Sequence, residues 1–263
     1  MYCCRLSVHP TPARLTDRAC GAADSGPLNS WDRAPYLTLR GVPEGTPSDM
    51  PKPRIIERNF LVNDHSANWP LDHDDGSDHY KDRYNVLIHG GSKNLNGYDK
   101  QIYGNLFIRP DLGAGMRHCH NNFAAGTEDP RPFLESWLNN TCITSEPDGD
   151  GGWSDSGIYN FGSCDIPALP EGRSSSSTHT ASNTFLTPSG DASKLNVSCA
   201  NTSALPAGLS SATFSFATWQ AQGYDAGSKV GKWSGSWVED AMGTARALLE
   251  MPPRAARARE AEQ

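Results

Sequence analysis

Asn85-Val86-Leu87-Ile88-His89, answered twenty residues later by Asn105-Leu106-Phe107-Ile108-Arg109, decides how this chain is read. Each copy is an asparagine, a short apolar run and a polar residue. Three more segments share the form: Asn59-Phe60-Leu61-Val62-Asn63, Asn140-Thr141-Cys142-Ile143-Thr144 and Asn183-Thr184-Phe185-Leu186-Thr187. The leading asparagines stand 26, 20, 35 and 43 residues apart. The first two gaps match one turn of a β-solenoid, and the last two fit one turn with an inserted loop, or two turns. In such a coil equivalent strands lie ~4.8 Å apart and equivalent residues stack on themselves. An asparagine at each bend can then bond both the bend's backbone and the next asparagine, answering groups that burial would otherwise orphan. The competing reading is a sandwich of unrelated hairpins, where asparagine is also a common turn residue. Two-residue hairpin signals are scarce, with Asn96-Gly97 the one Asn-Gly pair, which favours the solenoid. The pattern predicts an all-β chain folded as a parallel β-helix of six to eight turns.

Outside the repeat, the 263 residues carry 30 acidic and 23 basic side chains, a net charge of -7. No basic surplus exists to displace counterions from phosphates, so nucleic acid is not an expected partner. Glycine (25) and proline (19) punctuate the chain often enough to keep long helices few. No run approaches the ~18 apolar residues of a membrane span. One helix is expected near the end. Ser236-Trp237-Val238-Glu239 has the form of a capping box. Val238, Ala241, Met242, Ala245, Leu248 and Leu249 then recur at helical spacing until Pro252-Pro253 stop the run. The organisation read from these signals is a disordered or truncated segment over 1–21, the β-helix over 22–233, an amphipathic helix over 234–252 covering an end of it, and a disordered tail over 253–263.

Seven cysteines and sequons at Asn139, Asn196 and Asn201 point to an extracellular, secreted protein in a compartment where disulfides persist. Cys142 is expected to pair with Cys164 or Cys199. The odd cysteine count, with no signal peptide at the start, suggests a true N-terminus upstream.

Several segments carry a family resemblance. Gly26-Pro27-Leu28-Asn29-Ser30-Trp31-Asp32-Arg33, Trp69-Pro70-Leu71-Asp72-His73-Asp74-Asp75-Gly76-Ser77 and Gly90-Gly91-Ser92-Lys93-Asn94 resemble an uncharacterised group of right-handed parallel β-helix proteins of the pectate-lyase-like kind. Trp219-Gln220-Ala221-Gln222-Gly223-Tyr224-Asp225 is similar to the segment that closes many such domains. The resemblance spans roughly 22 to 250. It implies the right-handed fold and supplies no catalytic residues.

The densest polar cluster is Asp72-His73-Asp74-Asp75. On an extended strand Asp72 and Asp74 share one face, with His73 and Asp75 opposite. Carboxylates this close repel one another, and calcium held by Asp72, Asp74 and Asp75 would relieve them. One turn on comes Lys93, and Arg33 and His118/His120 extend the alignment into a polar stripe. β-Helix lyases use such a stripe, a cation neutralising a uronate carboxylate while Lys or Arg takes the C5 proton, whereas hydrolases on the fold use paired carboxylates. The candidate catalytic residues are therefore Lys93, Arg33, Asp72 and Asp74. Trp31, Trp69, His73 and His118 are candidate substrate contacts, and inter-turn salt bridges are the structural alternative. His118 and His120, two apart, could also share a strand face toward a transition metal. The expected function is a monomeric carbohydrate-active protein, acting on an acidic polysaccharide by lyase or hydrolase chemistry. The alternative is a non-catalytic glycan-binding or structural surface module.

Overall fold

The structure, a computed structural model, describes residues 14–16, 28–30, 53–62, 69–74, 77–95, 97, 99–110, 118–122, 135–144, 157–164, 178–202, 212–234 and 236–251. These form an all-β molecule with three mainly parallel sheets. The first sheet holds β3 (Arg54–Glu57), β6 (Tyr80–Arg83), β9 (Gln101–Tyr103), β12 (Glu135–Leu138) and β15 (Thr178–Ala181). The second holds β1 (Arg14–Thr16), β4 (Phe60–Val62), β7 (Val86–Ile88), β10 (Leu106–Ile108), β13 (Thr141–Ile143), β16 (Thr184–Thr187) and β19 (Lys229–Lys232). The third holds β2 (Leu28–Ser30), β5 (Leu71–His73), β8 (Ser92–Asn94), β11 (His120–Asn122), β14 (Tyr159–Cys164), β17 (Asn196–Thr202) and β18 (Ala212–Ser215). From β1 to β17 the chain visits the sheets in rotation, and each strand from β1 to β14 pairs in parallel with the strand three further on. Among the described strands only β18 folds back antiparallel, on β17. The strands after Asn59, Asn85 and Asn105 lie in register as parallel neighbours, Leu61 beside Leu87 beside Phe107. The gaps of 35 and 43 residues each prove to be a single level, since β10 pairs β13 and β13 pairs β16.

The repeat asparagines occupy one bend, between the first and second sheets. The main-chain N–H groups of Asn59, Asn85, Asn105 and Asn140 each donate 2.9 Å to the side-chain oxygen of the asparagine one level on. Each side-chain amide from Asn85 onward also donates backward, to Ile56, Asp82, Ile102 and Trp137 carbonyls at 2.9–3.0 Å. At the last level the Ser228 hydroxyl takes the place, accepting from the Asn183 N–H at 2.8 Å. The residue before each ladder position is left-handed: Arg58, Tyr84, Gly104, Asn139, Ser182 and Gly227, with φ between 53° and 73°. That conformation costs a non-glycine residue roughly 1–2 kcal/mol. The ladder offsets it by satisfying the bend's donors and acceptors at every level. Gly104 is glycine for a further reason, because a Cβ there would lie 2.8 Å from the Tyr84 ring.

One face of each sheet meets a common core. Leu61, Leu87, Phe107, Cys142 and Phe185 enter it from the second sheet, Ile102 and Trp137 from the first, and Leu71, Tyr159 and Val197 from the third. Trp137 is wholly buried against Phe107, Phe185 and Tyr159. At the C-terminal end, helix α1 (Phe216–Ala221) brings Phe216 and Trp219 over Phe185 and Phe161, and Tyr224 stacks on Trp219 at 3.7 Å. The Trp219 segment thus packs onto the core. The C-terminal helix, α2 (Trp237–Leu248), does not cover an end. It lies on the outward face of the second sheet, packing Ala241, Ala245 and Leu249 against Val86, Leu106, Ile108 and Ile143. Its Ser236 makes no side-chain bond to the helix backbone and instead reaches Asp240 Oδ2 at 3.3 Å, so the expected capping box is absent. Strand β1 falls inside the segment 1–21 read as disordered or truncated.

The cysteines pair differently from expectation. Cys142 bonds Cys119, and Cys164 bonds Cys199, with Cα separations of 6.2 and 6.1 Å. Which cysteines face each other across the core depends on the loops between levels, and chain spacing hides this. A non-reducing peptide map is expected to recover those two pairs, and reduction to cost about 3 kcal/mol per bond, a little more for the 35-residue loop than for the 23-residue one. A peptide joining Cys142 to Cys164 or Cys199 would contradict the pairing.

Candidate functional site

On the third sheet, parallel register places Asn29, Asp72, Lys93 and Asn121 in one column. Alternation along each strand turns this column away from the core, because Leu71 and Tyr159 on neighbouring positions enter it. The predicted alignment of Asp72 with Lys93 is therefore present. Lys93 Nζ lies 3.1 Å from Asp72 Oδ1 and 3.3 Å from Asp74 Oδ1, while Asn29 donates to Asp72 Oδ2 at 2.7 Å. Trp69 packs beneath the ammonium, its ring centre 4.6 Å from Nζ. Burial lowers the proton affinity of Lys93, but the Asp72 and Asp74 charges outweigh it, so its pKa is raised. Burial also raises Asp72, against the opposing pull of Lys93 and Asn29.

The ion pair itself is buried. Asp72 is fully buried and Lys93 and Trp69 are 5% exposed, and the group reaches the surface through the exposed Asn29 and the Asp74 side chain, at 19%. Lys93 is held protonated, the form opposite to a base, and it already supplies the countercharge assigned to calcium. Among the described residues no three His, Cys, Asp or Glu side chains are grouped to hold a metal ion. Arg33, Trp31 and Asp75 lie outside the described residues. The column position expected for His118 or His120 is taken by Asn121, whose side chain is buried with no hydrogen-bond partner among the described residues. His118 precedes β11 rather than sharing a strand face with His120, and it is 2% exposed, in close contact with Gly91. His73 faces the core instead of a surface groove.

The core side of the same strands holds an ionic network that no sequence pattern announced. His73 Nε2 meets Asp82 at 2.6 Å. Glu135 accepts from the side-chain amides of Asn94 and Asn122 and from Thr178 Oγ1, and His120 Nε2 lies 3.1 Å from it. Lys100, fully buried, donates to the Leu95 carbonyl. Burial lowers its pKa from 10.5 to about 8, against the pull of Glu135, Asp78, Asp82 and Asp74. Between about pH 8 and 10.5 the unfolded chain therefore binds more protons here than the folded one, so stability gains with rising pH. The gain, absent from Lys100→Met, is expected to reach about 3 kcal/mol across that window. Urea unfolding of both proteins from pH 7.5 upward checks it, and a constant difference between them would contradict it.

The outward face of the first sheet is the open one. Tyr84 and Tyr103 stand on adjacent levels as an edge-to-face ring pair, 5.9 Å apart. Arg83 donates to Glu57 at 2.6 Å and to the Tyr103 hydroxyl at 3.1 Å. Arg58 lies over the Tyr84 ring at 5.5 Å, and Gly104 gives that ring its seat. Arg58, Arg83 and Glu57 are each about a third exposed, and Lys81 lies on the same face beside Gln101. Sequence reading missed these residues because Tyr80–Arg83 and Gln101–Tyr103 have no apolar pattern. Their positions relative to the ladder asparagines are the signal that could have found them. No protein-family model matches the chain, and neither does any curated protein or any solved structure.

Proposed function

We propose that the three sheets close around their common core as a right-handed parallel β-helix of the pectate-lyase-like kind, and that the protein is a secreted, monomeric glycan-binding module for acidic polysaccharide. Rotation of the chain through three parallel sheets supports the helical reading. Two core disulfides support an oxidising compartment. One observation carries the functional reading: the Tyr84–Tyr103 ring pair, flanked by Arg58, Lys81 and Arg83 against two carboxylates, Glu57 and Glu250, which pair with the arginines. Rings fixed by their neighbours lose little entropy on meeting a sugar, and the local excess of cations on a chain of net charge -7 favours uronate carboxylates.

The catalytic alternative draws on the convergence of Asp72, Asp74 and Lys93, but it requires a substrate to reach a buried ion pair. Affinity electrophoresis tests the binding reading. Gels containing alginate or polygalacturonate should retard the protein, less so as salt rises, while neutral dextran should not. Equal mobility in all gels would overturn it. Absorbance from an unsaturated product in the same mixtures would restore lyase chemistry.

A further inference from the structure

We propose that Ser30, His73 and Asp82 form a nucleophilic relay that hydrolyses esters of small acyl groups, at the N-terminal end of the third sheet. His73 Nε2 lies 2.6 Å from Asp82 Oδ2, and the Ser30 hydroxyl lies 2.9 Å from His73 Nδ1. A buried carboxylate that close to Nε2 fixes the imidazole proton there, which leaves Nδ1 to accept from Ser30. Ser77 steadies the nucleophile. Its hydroxyl donates to the Ser30 carbonyl and stands 2.8 Å from Ser30 Oγ. The order of burial suits the roles. Asp82 and His73 are 0% and 1% exposed, whereas Ser30, on the edge strand β2, is only half-buried. At the same end Tyr80 packs on the His73 ring at 4.0 Å, and the exposed Arg54 guanidinium sits 5.3 Å above Tyr80 and donates to the Asp78 carbonyl at 3.2 Å.

A second chain of the same form provides a control. Ser92 Oγ lies 2.9 Å from His120 Nδ1, and His120 Nε2 lies 3.1 Å from Glu135. There all three residues are buried to 1% exposure or less, so no substrate can meet the serine. Of the two, only the Ser30 relay ends in a serine that is not fully buried.

In the reaction, Ser30 Oγ bonds to the acyl carbon as its proton passes to His73 Nδ1. The carbon–oxygen bond to the alcohol breaks, and the alcohol leaves with that proton. Water then attacks the acyl-Ser30 carbon and gives a proton to His73, which returns it to Ser30 Oγ as the acid departs. His73 and Ser30 are the catalytic residues, and Asp82 is a positioning residue.

The test is a fluorophosphonate probe on the full chain, mapped by mass spectrometry, with 4-nitrophenyl acetate hydrolysis beside it. The expected result is one label, on Ser30. Ser30→Ala should lose the label and roughly 10³-fold in rate, while Ser92→Ala keeps both. Asp82→Asn should lower the rate and displace the pH profile set by His73, which loss of a purely structural contact would not do. An unlabelled wild-type protein, or a label elsewhere that survives Ser30→Ala, overturns the proposal. The wild-type map decides even where a variant fails to fold. Labelling and polysaccharide retardation are separate readouts, so neither reading stands or falls with the other.

Discussion

Asn105→Ala is expected to cost about 4 kcal/mol, a large part of the roughly 5–15 kcal/mol that stabilises a domain. The Asn105 side chain accepts from the Asn85 N–H and side-chain amide at 2.9 and 3.0 Å. It donates to the Asp82 carbonyl at 2.9 Å and to Asn140 Oδ1 at 3.0 Å. Alanine leaves the Asn85 N–H and the Asp82 carbonyl without these bonds in a bend that is essentially dry, and each such group costs roughly 1–3 kcal/mol. Asn59 is the first ladder asparagine among the described residues and is half-buried, so Asn59→Ala should cost about 1 kcal/mol. Urea unfolding measures both. Equal costs at the two positions would show that the ladder does not act as a buried network.

The second large effect is at Lys93. Lys93→Met removes the ammonium that sits between Asp72 and Asp74 and should cost about 3–5 kcal/mol, because Asp72 is left charged and buried. The sign of the pH dependence is fixed by burial. A carboxyl whose folded pKa lies above its unfolded value binds more protons when folded, so the variant should recover stability as pH falls and Asp72 becomes neutral. The double variant Asp72→Asn/Lys93→Met should be more stable than Lys93→Met alone at pH 7. A Lys93→Met protein as stable as wild type would mean that the pair carries no buried charge.

These two sites also show what could be read from the chain. The ladder asparagines were legible because one bend geometry recurs, and recurrence leaves a mark in sequence. The register of Asp72 with Lys93 was legible because the 21-residue separation between them matches one repeat. What faced inward was not. On the core side of the first and third sheets, Asp82, Lys100, Glu135, His73 and His120 stand where an apolar run would have announced a strand. Their pairing across sheets depends on loops of unequal length, as does the pairing of Cys119 with Cys142. The burial of Lys93 and Trp69 was equally hidden, and it moves the candidate glycan surface from the third sheet to the first. The helix α2 had a clear period, but its period could not say which apolar surface it would cover, and the outward faces of Leu106 and Ile143 took it.

Whether the first sheet's outward rings bind acidic polysaccharide is decided most directly by one comparison. Dissociation constants for polygalacturonate are measured for the wild type and for Tyr84→Ala/Tyr103→Ala, with circular dichroism showing that both are folded. The double variant should bind about tenfold more weakly or worse. Unchanged affinity in a folded double variant would contradict it.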